Sequence, residues 1–181
     1  MFEIVQKTRL AKNIELFDVY APNIAKKAQP GQFVIVRINE KGERIPLTIA
    51  DFNRQKGSIT IVVQGIGKST IDMGFLKVGD SFLDVVGPLG KPFVLKNYGK
   101  VLCIGGGVGI APIYPIAKAL YENDNYVISI LGAQSHDSLI WEEKLKEVSH
   151  ETYITTDAGS YGKKGNVADI LPQLIVSMDI D

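Results

Sequence analysis

Four glycines in five positions, directly after a short apolar run, constrain this chain more than any other feature. The run Val101-Leu102-Cys103-Ile104 is short enough to be one buried parallel strand, and the glycines lie within residues 105–109. A strand that leads through glycines into a helix is typical of a phosphate site, because N–H groups at a helix N-terminus attract an anion and glycines let it come close. The alternative is a glycine-rich turn without a ligand, although a turn rarely needs four glycines so close together.

The spacing of these glycines departs from the usual dinucleotide fingerprint. The pattern G-x-G-x-x-G starting at Gly105 requires a glycine where Ile110 stands, and starting at Gly107 it requires one where Pro112 stands. The chain instead reads G-x-G-x-A-P from Gly107 to Pro112. The sequence therefore predicts a phosphate loop with a spacing of its own.

Composition limits the other chemistry. Twenty basic and twenty acidic residues cancel in the 181-residue chain, so no bulk charge favours nucleic acid or anionic lipid. The single cysteine, Cys103, excludes an internal disulfide and any all-cysteine zinc or iron–sulfur site made by this chain alone, and we expect it to be buried. His136 and His150 are isolated, so they are expected at the surface or in caps and no metal site is predicted. Trp141 is expected to pack on an amphipathic helix.

No stretch of the chain reads as a membrane or export signal. The N-terminus lacks a basic region followed by an apolar stretch, and no apolar span of about 18 residues occurs. We therefore expect a cytoplasmic protein.

The first half of the chain predicts an all-β domain. Its segments are short, rich in Val, Ile, Phe and Thr, and separated by Gly, Pro and Asn. Six strands in so short a segment favour a closed antiparallel β-barrel, because closure removes exposed edges. A helix is possible over 69–75, and the predicted strands are 2–9, 14–20, 32–38, 45–51, 58–63 and 81–86.

The second half predicts a parallel α/β domain. Strands at 101–104, 126–131 and 152–156 alternate with helices that begin near residues 112, 139 and 167, the last interrupted at Pro172. The fold class is therefore a six-stranded antiparallel β-barrel followed by a partial Rossmann-like domain, with domains 1–97 and 98–181. Because only three parallel strands can be counted, the second domain is expected to be incomplete at its C-terminus.

Two segments of the first half are candidate ligand sites. In the strand after Arg44, Pro46 has no N–H to donate to a neighbouring strand. It must therefore lie at a sheet edge, or the side of the backbone without the N–H must face a ligand. The second segment is Gly67-Lys68-Ser69-Thr70, which is not a Walker A loop because Val62 stands where that motif needs glycine. Its N–H groups and hydroxyls can still donate to an anion, and helix capping by Ser69 is the alternative.

Two further segments lie at the predicted carboxyl edge of the parallel sheet. Gly132 and Ala133 end the second strand, at the edge where open α/β sheets bind ligands. The loop after the third strand carries Asp157, Ser160 and Tyr161, whose polar groups can reach a nucleotide or cap the next helix.

These motifs together resemble the ferredoxin-NADP reductase superfamily. The resemblance rests on G-x-G-x-A-P, on Pro46-Leu47-Thr48, on Gly87-Pro88-Leu89-Gly90 and on Gly159-Ser160-Tyr161-Gly162. It is strongest to the electron-transfer subunits of dihydroorotate dehydrogenase and of NADH-dependent ferredoxin:NADP oxidoreductase. It implies a flavoprotein that takes a hydride from NAD(P)H onto FAD and passes electrons to an iron–sulfur partner in a heteromeric complex.

The resemblance also implies roles for residues in the barrel. Pro46, Leu47 and Thr48 would line the flavin ring, with Thr48 as the catalytic candidate that tunes it, and the segment 67–70 would hold the flavin pyrophosphate. The family places an arginine where Ile45 stands, so Arg44 is one residue early and reaches the phosphate only if the strand bulges around Pro46. A solvated Arg44 is the alternative.

In the second domain, the loop would hold the nicotinamide end and the pyrophosphate. The residues implied are Gly107, Val108, Gly109, Ile110, Ala111 and Pro112, with Gly132, Ala133 and the 157–161 loop beside the nucleotide. No arginine follows Arg54, which favours NADH over NADPH, although Lys163 and Lys164 could serve a phosphate.

Members of the family continue further, with another strand and a cysteine-rich segment for a [2Fe-2S] cluster. Neither is found in this sequence, so we expect a truncated chain whose cluster resides elsewhere. The alternative function is a flavin- or nucleotide-binding module of a larger redox complex without turnover. A third and less favoured hypothesis is that the protein hydrolyses nucleotides.

Overall fold

The chain divides into two compact units, Met1–Phe93 and Val94–Asp181. A computed structural model describes residues 2–178. The division lies a few residues before the boundary predicted between residues 97 and 98. The cofactor assigned to each unit stays a prediction, and each unit is described by itself.

The described residues of unit 1, 2–93, form eight strands in two antiparallel sheets. The sheet orders are β5-β6-β2-β1-β7 and β4-β3-β8. The strands are β1 (Phe2–Ala11), β2 (Ile14–Tyr20), β3 (Phe33–Arg37), β4 (Ile45–Thr48), β5 (Asp51–Asn53), β6 (Ser58–Gln64), β7 (Ser81–Phe82) and β8 (Asp84–Leu89).

Two of the six predicted strands are each divided in two, and both divisions carry the chain from one sheet to the other. After β4, the Ile49 N–H donates to Gln32 O at 3.0 Å, whereas the next N–H, of Ala50, donates to Thr60 O at 2.9 Å on the other sheet. After β7, the Leu83 N–H donates to Arg37 O at 2.9 Å. An antiparallel β architecture is thus established, whereas a closed six-stranded barrel stays a prediction.

The core of unit 1 is formed by buried side chains from both sheets. Phe17 and Phe82 are fully buried and pack edge to face, with ring centroids 6.1 Å apart. Ile4, Ile59 and Ile61 are also fully buried. Burying such large apolar side chains stabilises the folded unit by about 1.5–3 kcal/mol each.

Two short helices complete unit 1. Helix α2 (Lys68–Met73) lies within one or two residues of the helix predicted over 69–75. Helix α1 (Pro22–Lys27) was not predicted, although Pro22 at its first position is a typical start signal. Its Ile24 and Ala25 are buried in the same core.

Unit 2 is built on a parallel sheet of order β12-β11-β10-β9. The register places Gly106 beside Gly132, and Gly132 beside Thr155, so the strands end at one edge. The predicted three-strand count was short by β12, which has only two residues. The elements are β9 (Lys100–Gly106), α3 (Ile110–Glu122), β10 (Tyr126–Ala133), α4 (Glu142–Glu147), β11 (Glu151–Thr156), β12 (Lys163–Lys164) and α5 (Val167–Met178).

Two predicted helices differ from the structure. Helix α4 begins at Glu142 rather than at Leu139, because Trp141 has a left-handed backbone with φ of 55°. Helix α5 continues past Pro172 instead of stopping there. Proline removes one hydrogen bond, but Ile170 and Leu174 on either side of it are buried against the sheet, and that packing holds the helix together.

Among the helices of residues 2–178, none is both long enough and apolar enough to cross a membrane.

Cys103 is buried, although its neighbours on β9, Leu102 and Ile104, are only half-buried. The burial of Cys103 generates a prediction. Burial raises the pKa of its thiol to about 11, so at pH 8 only about one molecule in a thousand carries the reactive thiolate. We expect iodoacetamide to leave the folded protein unmodified and to alkylate it in urea, as measured by intact mass. Alkylation of the folded protein at the rate of a free cysteine would contradict the buried position.

Candidate functional site

The glycine loop joins β9 to α3 through a single 3-10 turn, Gly107–Gly109. Gly105 is required by packing, because a Cβ there would lie 2.9 Å from the Ile110 Cα. Gly107 is required by its backbone, with φ of +54°. A Cβ on Gly107 or Gly109 would meet no atom within 4 Å, so the turn opens onto free space.

The six predicted loop residues do not contribute alike. Ile110 and Ala111 are buried, so only their backbone can face a ligand. Pro112, in the first turn of α3, has no N–H to offer. The open part is therefore 107–109, where N–H groups of the first helical turn lack partners within the helix.

A cleft of about 240 Å³ adjoins this turn at the carboxyl edge of the sheet. The ends of β9, β10 and β11 and the start of α5 all contribute to it, as expected for an open α/β sheet. Its lining is formed by Gly106, Gly107, Gly132, Ala133, Gln134, Asp157, Asn166 and Val167.

Gly132 shapes the floor of this cleft. A Cβ at Gly132 would lie 2.6 Å from the Val167 Cγ1, so only glycine lets α5 pack against β10 here. The same Cβ would lie 3.3 Å from the Thr155 Oγ1. This hydroxyl is fully buried, and among the buried side-chain nitrogen and oxygen atoms of the described residues it is the single one without a hydrogen-bond partner.

The loop after β11 is fastened to the end of β10. The Asp157 N–H donates to Ala133 O at 3.1 Å, and the Ala158 N–H donates to Gln134 O at 3.0 Å. The loop is closed by Thr156, whose hydroxyl donates to the Tyr161 carbonyl at 2.7 Å and accepts from its N–H at 3.1 Å. These bonds fix the backbone that carries Asp157 beside the cleft.

Ser160 and Tyr161, predicted to bind the cofactor, have partners within the protein. The Ser160 Oγ accepts from the His136 N–H at 3.0 Å. The Tyr161 ring packs on the His136 ring at 4.3 Å, and its hydroxyl donates to Glu142 Oε1 at 2.9 Å. Of the three predicted loop residues, Asp157 lines the cleft, whereas the other two hold the loop against the 136–142 segment.

The pKa shifts of Glu142 and Tyr161 favour the hydrogen bond between these two side chains. Burial raises the pKa of Glu142, but hydrogen bonds from Lys146 and Tyr161 outweigh it, so the pKa lies below its usual value. The hydrogen bond to Glu142 raises the pKa of Tyr161. Near neutral pH both groups are therefore in the states that the hydrogen bond needs, a carboxylate and a protonated phenol.

Trp141 and His150 also have packing roles. Trp141 packs edge to face on Tyr114 at 5.3 Å, although it precedes α4 rather than lying on it. His150 stacks on Tyr126 at 4.4 Å, and its Nδ1 accepts from the Val127 N–H at 3.1 Å. Within residues 2–178, no group of three or more His, Cys, Asp or Glu side chains is placed to hold a metal ion.

In unit 1, the candidate flavin strand β4 lies at the edge of its sheet. It pairs with β3 in regular register, with Pro46 opposite Ile35 and Thr48 opposite Phe33. An edge position accounts for the missing N–H of Pro46. Thr48 and Leu47 are half-buried, whereas Pro46 is exposed.

This regular pairing argues against the bulge that Arg44 needed in order to reach a flavin phosphate. Arg44 is 63% exposed and lies 3.9 Å from Asp84 Oδ2, an oxygen that Arg37 already binds at 2.6 Å. Arg44 is therefore a mostly solvated side chain at the rim of the sheet, as in the alternative reading.

The segment 67–70 caps α2 through Thr70 rather than through Ser69. The Thr70 hydroxyl accepts from the N–H groups of Ile66 and Gly67, each at 3.0 Å, and donates to Gly67 O at 2.9 Å. The Ser69 hydroxyl instead donates to Glu43 Oε2 at 2.5 Å. Glu43 was not predicted, and it brings the turn before β4 against the start of α2.

Comparison with known proteins shows the family to which this chain belongs. Residues 103–179 match the oxidoreductase NAD-binding domain family. The electron transfer subunit of dihydroorotate dehydrogenase B from Shouchella clausii is 33% identical over 98% of this chain and 70% of its own length. The chain belongs to this family of electron transfer subunits.

A homolog of this subunit in Thermotoga maritima is 48% identical over 99% of this chain. The chain spans 63% of that relative's length.

Solved structures agree with the assignment. The NADH-dependent reduced ferredoxin-NADP oxidoreductase is 48% identical, with a TM-score of 0.92 over 97% of this chain and 63% of its own. The ferredoxin reductase of carbazole 1,9a-dioxygenase is 20% identical, with a TM-score of 0.82 over 98% of this chain and 57% of its own, and shares the fold. The mixed β and α/β architecture is therefore that of ferredoxin-NADP reductases.

The unpartnered Thr155 hydroxyl generates a prediction. Because a buried hydroxyl without a partner costs stability, we expect Thr155→Val to raise the free energy of unfolding by about 1 kcal/mol. The matched control is Thr156→Val, which removes both bonds to Tyr161 and should destabilise the protein. Urea unfolding followed by fluorescence of Trp141, the single tryptophan, measures unit 2 directly. A loss of stability in Thr155→Val would show that its hydroxyl has a partner such as a buried water.

Proposed function

We propose that this chain is the NADH-oxidising flavoprotein part of an electron-transfer complex, in which unit 2 binds NADH, unit 1 binds FAD and an iron–sulfur partner receives the electrons. The observation that carries the proposal is the open turn 107–109 beside a cleft at the ends of three parallel strands. Membership of the electron transfer subunit family supports it.

The residues of unit 2 fit a dinucleotide. The turn supplies N–H groups at the start of α3, a helix of 13 residues whose dipole favours a pyrophosphate. Gly107 and Gly109 leave space for the ligand to approach the backbone, and Gly132 and Ala133 extend the surface along the sheet edge. The chain thus contributes binding and orientation through its backbone.

The residues of unit 1 fit a flavin in part. The contact between Glu43 and Ser69 brings the turn before β4 to the start of α2, so the two predicted flavin segments are neighbours. Space is open beside Gly67, where a Cβ would meet no atom within 4 Å. The Glu43 carboxylate uses the Ser69 hydroxyl, however, so a flavin phosphate that takes this donor must displace Glu43.

Bound FAD would supply the redox chemistry, taking electrons from NADH in a pair and releasing them singly. Thr48 is the residue proposed to tune the flavin through its hydroxyl, while Pro46 and Leu47 on the same edge strand would line the ring. Lys68, Ser69 and Thr70 would face its phosphates, although Thr70 is already engaged in the cap. No side chain is required as a general acid or base.

The names of the relatives support the proposal of a redox partner. They are named electron transfer subunits of dihydroorotate dehydrogenase B, and the related solved structure is a ferredoxin-NADP oxidoreductase. We propose an iron–sulfur acceptor because ferredoxin, named for the related solved structure, is an iron–sulfur protein.

An absorbance spectrum of the purified chain, followed by anaerobic addition of NADH, tests the proposal. A flavin spectrum that bleaches on NADH addition is expected. A flavin spectrum that NADH does not change would favour the alternative, a binding module without turnover. Absence of both flavin and NADH binding would contradict the proposal.

Two glycine substitutions separate the proposed sites. Gly109 and Gly67 have ordinary backbone angles, with φ of −65° and −108°, and an added Cβ would meet no atom within 4 Å, so a side chain can start at either position without backbone strain. We expect Gly109→Trp to keep FAD and lose reduction by NADH, and Gly67→Trp to lose FAD affinity. Each variant controls for the other. Full NADH reduction in Gly109→Trp would exclude the turn as the nucleotide site.

Substitutions in unit 1 test the flavin assignment. Thr48→Val and Ser69→Ala each remove a proposed flavin contact and should weaken FAD binding by roughly threefold to tenfold. Glu43→Gln should strengthen it, because the competing carboxylate is removed from Ser69. Equilibrium dialysis against FAD measures all three. Unchanged affinity in Ser69→Ala would place the phosphates elsewhere.

A further inference from the structure

A groove of about 270 Å³ lies in unit 1 between the β1–β2 hairpin and α2. The hairpin contributes a charged pair, Arg9 and Glu15, to its lining. The other side, formed by β6, α2 and the residues after it, contributes the apolar side chains of Val63, Ile71 and Phe75. The groove therefore offers a charge and an apolar surface to the same ligand.

Hydrogen bonds fasten the two sides of the groove to each other. The Gly65 N–H, just after β6, donates to Asn13 O at 2.8 Å. The Lys7 ammonium on β1 donates to the Gly74 carbonyl at 2.5 Å and to the Leu76 carbonyl at 2.8 Å, at the end of α2. The groove is thus formed by the fold itself, and a ligand does not have to order it on binding.

Glu15 is a buried carboxylate on this lining. Its side chain is only 9% exposed, and its Oε1 accepts from the Arg9 Nε at 2.8 Å. Burying a carboxylate costs stability unless the charge is paired. Because Arg9 lies directly opposite Glu15 in the β1–β2 ladder, the ion pair neutralises the acid and also orients the guanidinium.

Arg9 is the accessible charge of the groove. Its side chain is 74% exposed, and the bond to Glu15 uses its Nε–H. The guanidinium carries further N–H groups on its two terminal nitrogens, in a planar fork that matches a carboxylate. Arg9 is the one lysine or arginine among the described residues that line the groove, so its charge suits a singly charged anion.

Apolar surface lies exposed beside this charge. The Phe75 side chain is 75% exposed, and Ile71 is also exposed. Covering such side chains with an apolar ligand removes both surfaces from water, which is favourable. A ligand that carries a carboxylate and an apolar body would satisfy both parts of the lining.

We propose that this groove binds a small aliphatic carboxylate. The carboxylate accepts hydrogen bonds from the Arg9 guanidinium, and the apolar body lies on Ile71 and Phe75. The inference goes beyond the proposed function, because neither the turn 107–109 nor β4 takes part in it.

Calorimetric titration of the full chain with hexanoate, acetate and hexanol tests this inference. Hexanoate should bind at least about tenfold more tightly than either of the others, because acetate lacks the apolar body and hexanol lacks the charge. If hexanoate binds no more tightly than acetate, the proposal is overturned.

An isoleucine pair tests the apolar part. Ile71→Ala should weaken hexanoate binding by roughly threefold to tenfold, because it removes buried methylene contacts. The matched control is Ile66→Ala, since Ile66 is also exposed but does not line the groove. This control should keep the wild-type affinity, and an equal loss in both variants would contradict the assignment.

Removal of the charge tests the other part. Arg9→Met should weaken hexanoate binding at least about tenfold, whereas Lys56→Met, the same charge change in the exposed turn before β6, should not. Arg9→Met leaves Glu15 buried without its partner, so the combined variant Arg9→Met with Glu15→Gln provides the test if the single variant does not fold. Unchanged affinity in the folded variant would overturn the proposal.

Titration of hexanoate in the presence of FAD separates this groove from the proposed flavin site. The two are neighbours, because Thr70 lines the groove and also belongs to the segment 67–70. Hexanoate should still bind when FAD is present, and competitive displacement by FAD would overturn the assignment of a separate site. If the chain binds no FAD, the flavin proposal fails, while the hexanoate titrations still decide this inference.

Discussion

The close approach of β9 to the start of α3 is the contact on which the candidate nucleotide site depends. A Cβ at Gly105 would lie 2.9 Å from the Ile110 Cα and 3.1 Å from the Gly109 carbonyl, so any other residue would push the helix away. Because the helix lies so near the strand, only a single 3-10 turn separates them, and N–H groups at the start of a helix lack partners within it. Buried Ile110 and Ala111 anchor that turn to the core of unit 2.

A similar constraint acts at the neighbouring strand. Gly132 lets α5 pack directly on β10, since a side chain there would meet Val167 at 2.6 Å. The glycines at the ends of two parallel strands therefore serve the packing of two helices, α3 and α5, and the cleft is the space left between these elements. The shape of the candidate cleft and the packing of the two helices depend on the same glycines, so substitutions at Gly105 or Gly132 would alter both.

The candidate flavin segments show how polar contacts connect residues far apart in sequence. Ser69 and Glu43 are joined by a hydrogen bond across two elements of unit 1, and Arg37 and Asp84 pair across β3 and β8. Each of these charges has a partner in the folded chain, which limits what remains for a ligand. Arg44 shares Asp84 with Arg37, at 3.9 Å from its Oδ2, and remains mostly solvated.

The sequence alone determined the β then α/β class, the glycine loop and most of the order of elements, because hydrophobic periodicity, glycine and proline act locally. It restricted Pro46 to a sheet edge or a ligand-facing position, and the structure chose the edge. Only the tertiary structure decided how side chains far apart in sequence meet. It divided two predicted strands at Ile49-Ala50 and at Leu83, where hydrogen bonds pass to a second sheet. Helix α5 continues past Pro172 because Ile170 and Leu174 are buried. The hydroxyl that caps α2 belongs to Thr70. Ser160 and Tyr161 form hydrogen bonds with the 136–142 segment. Such partners come from non-local packing, which no local pattern in the sequence records.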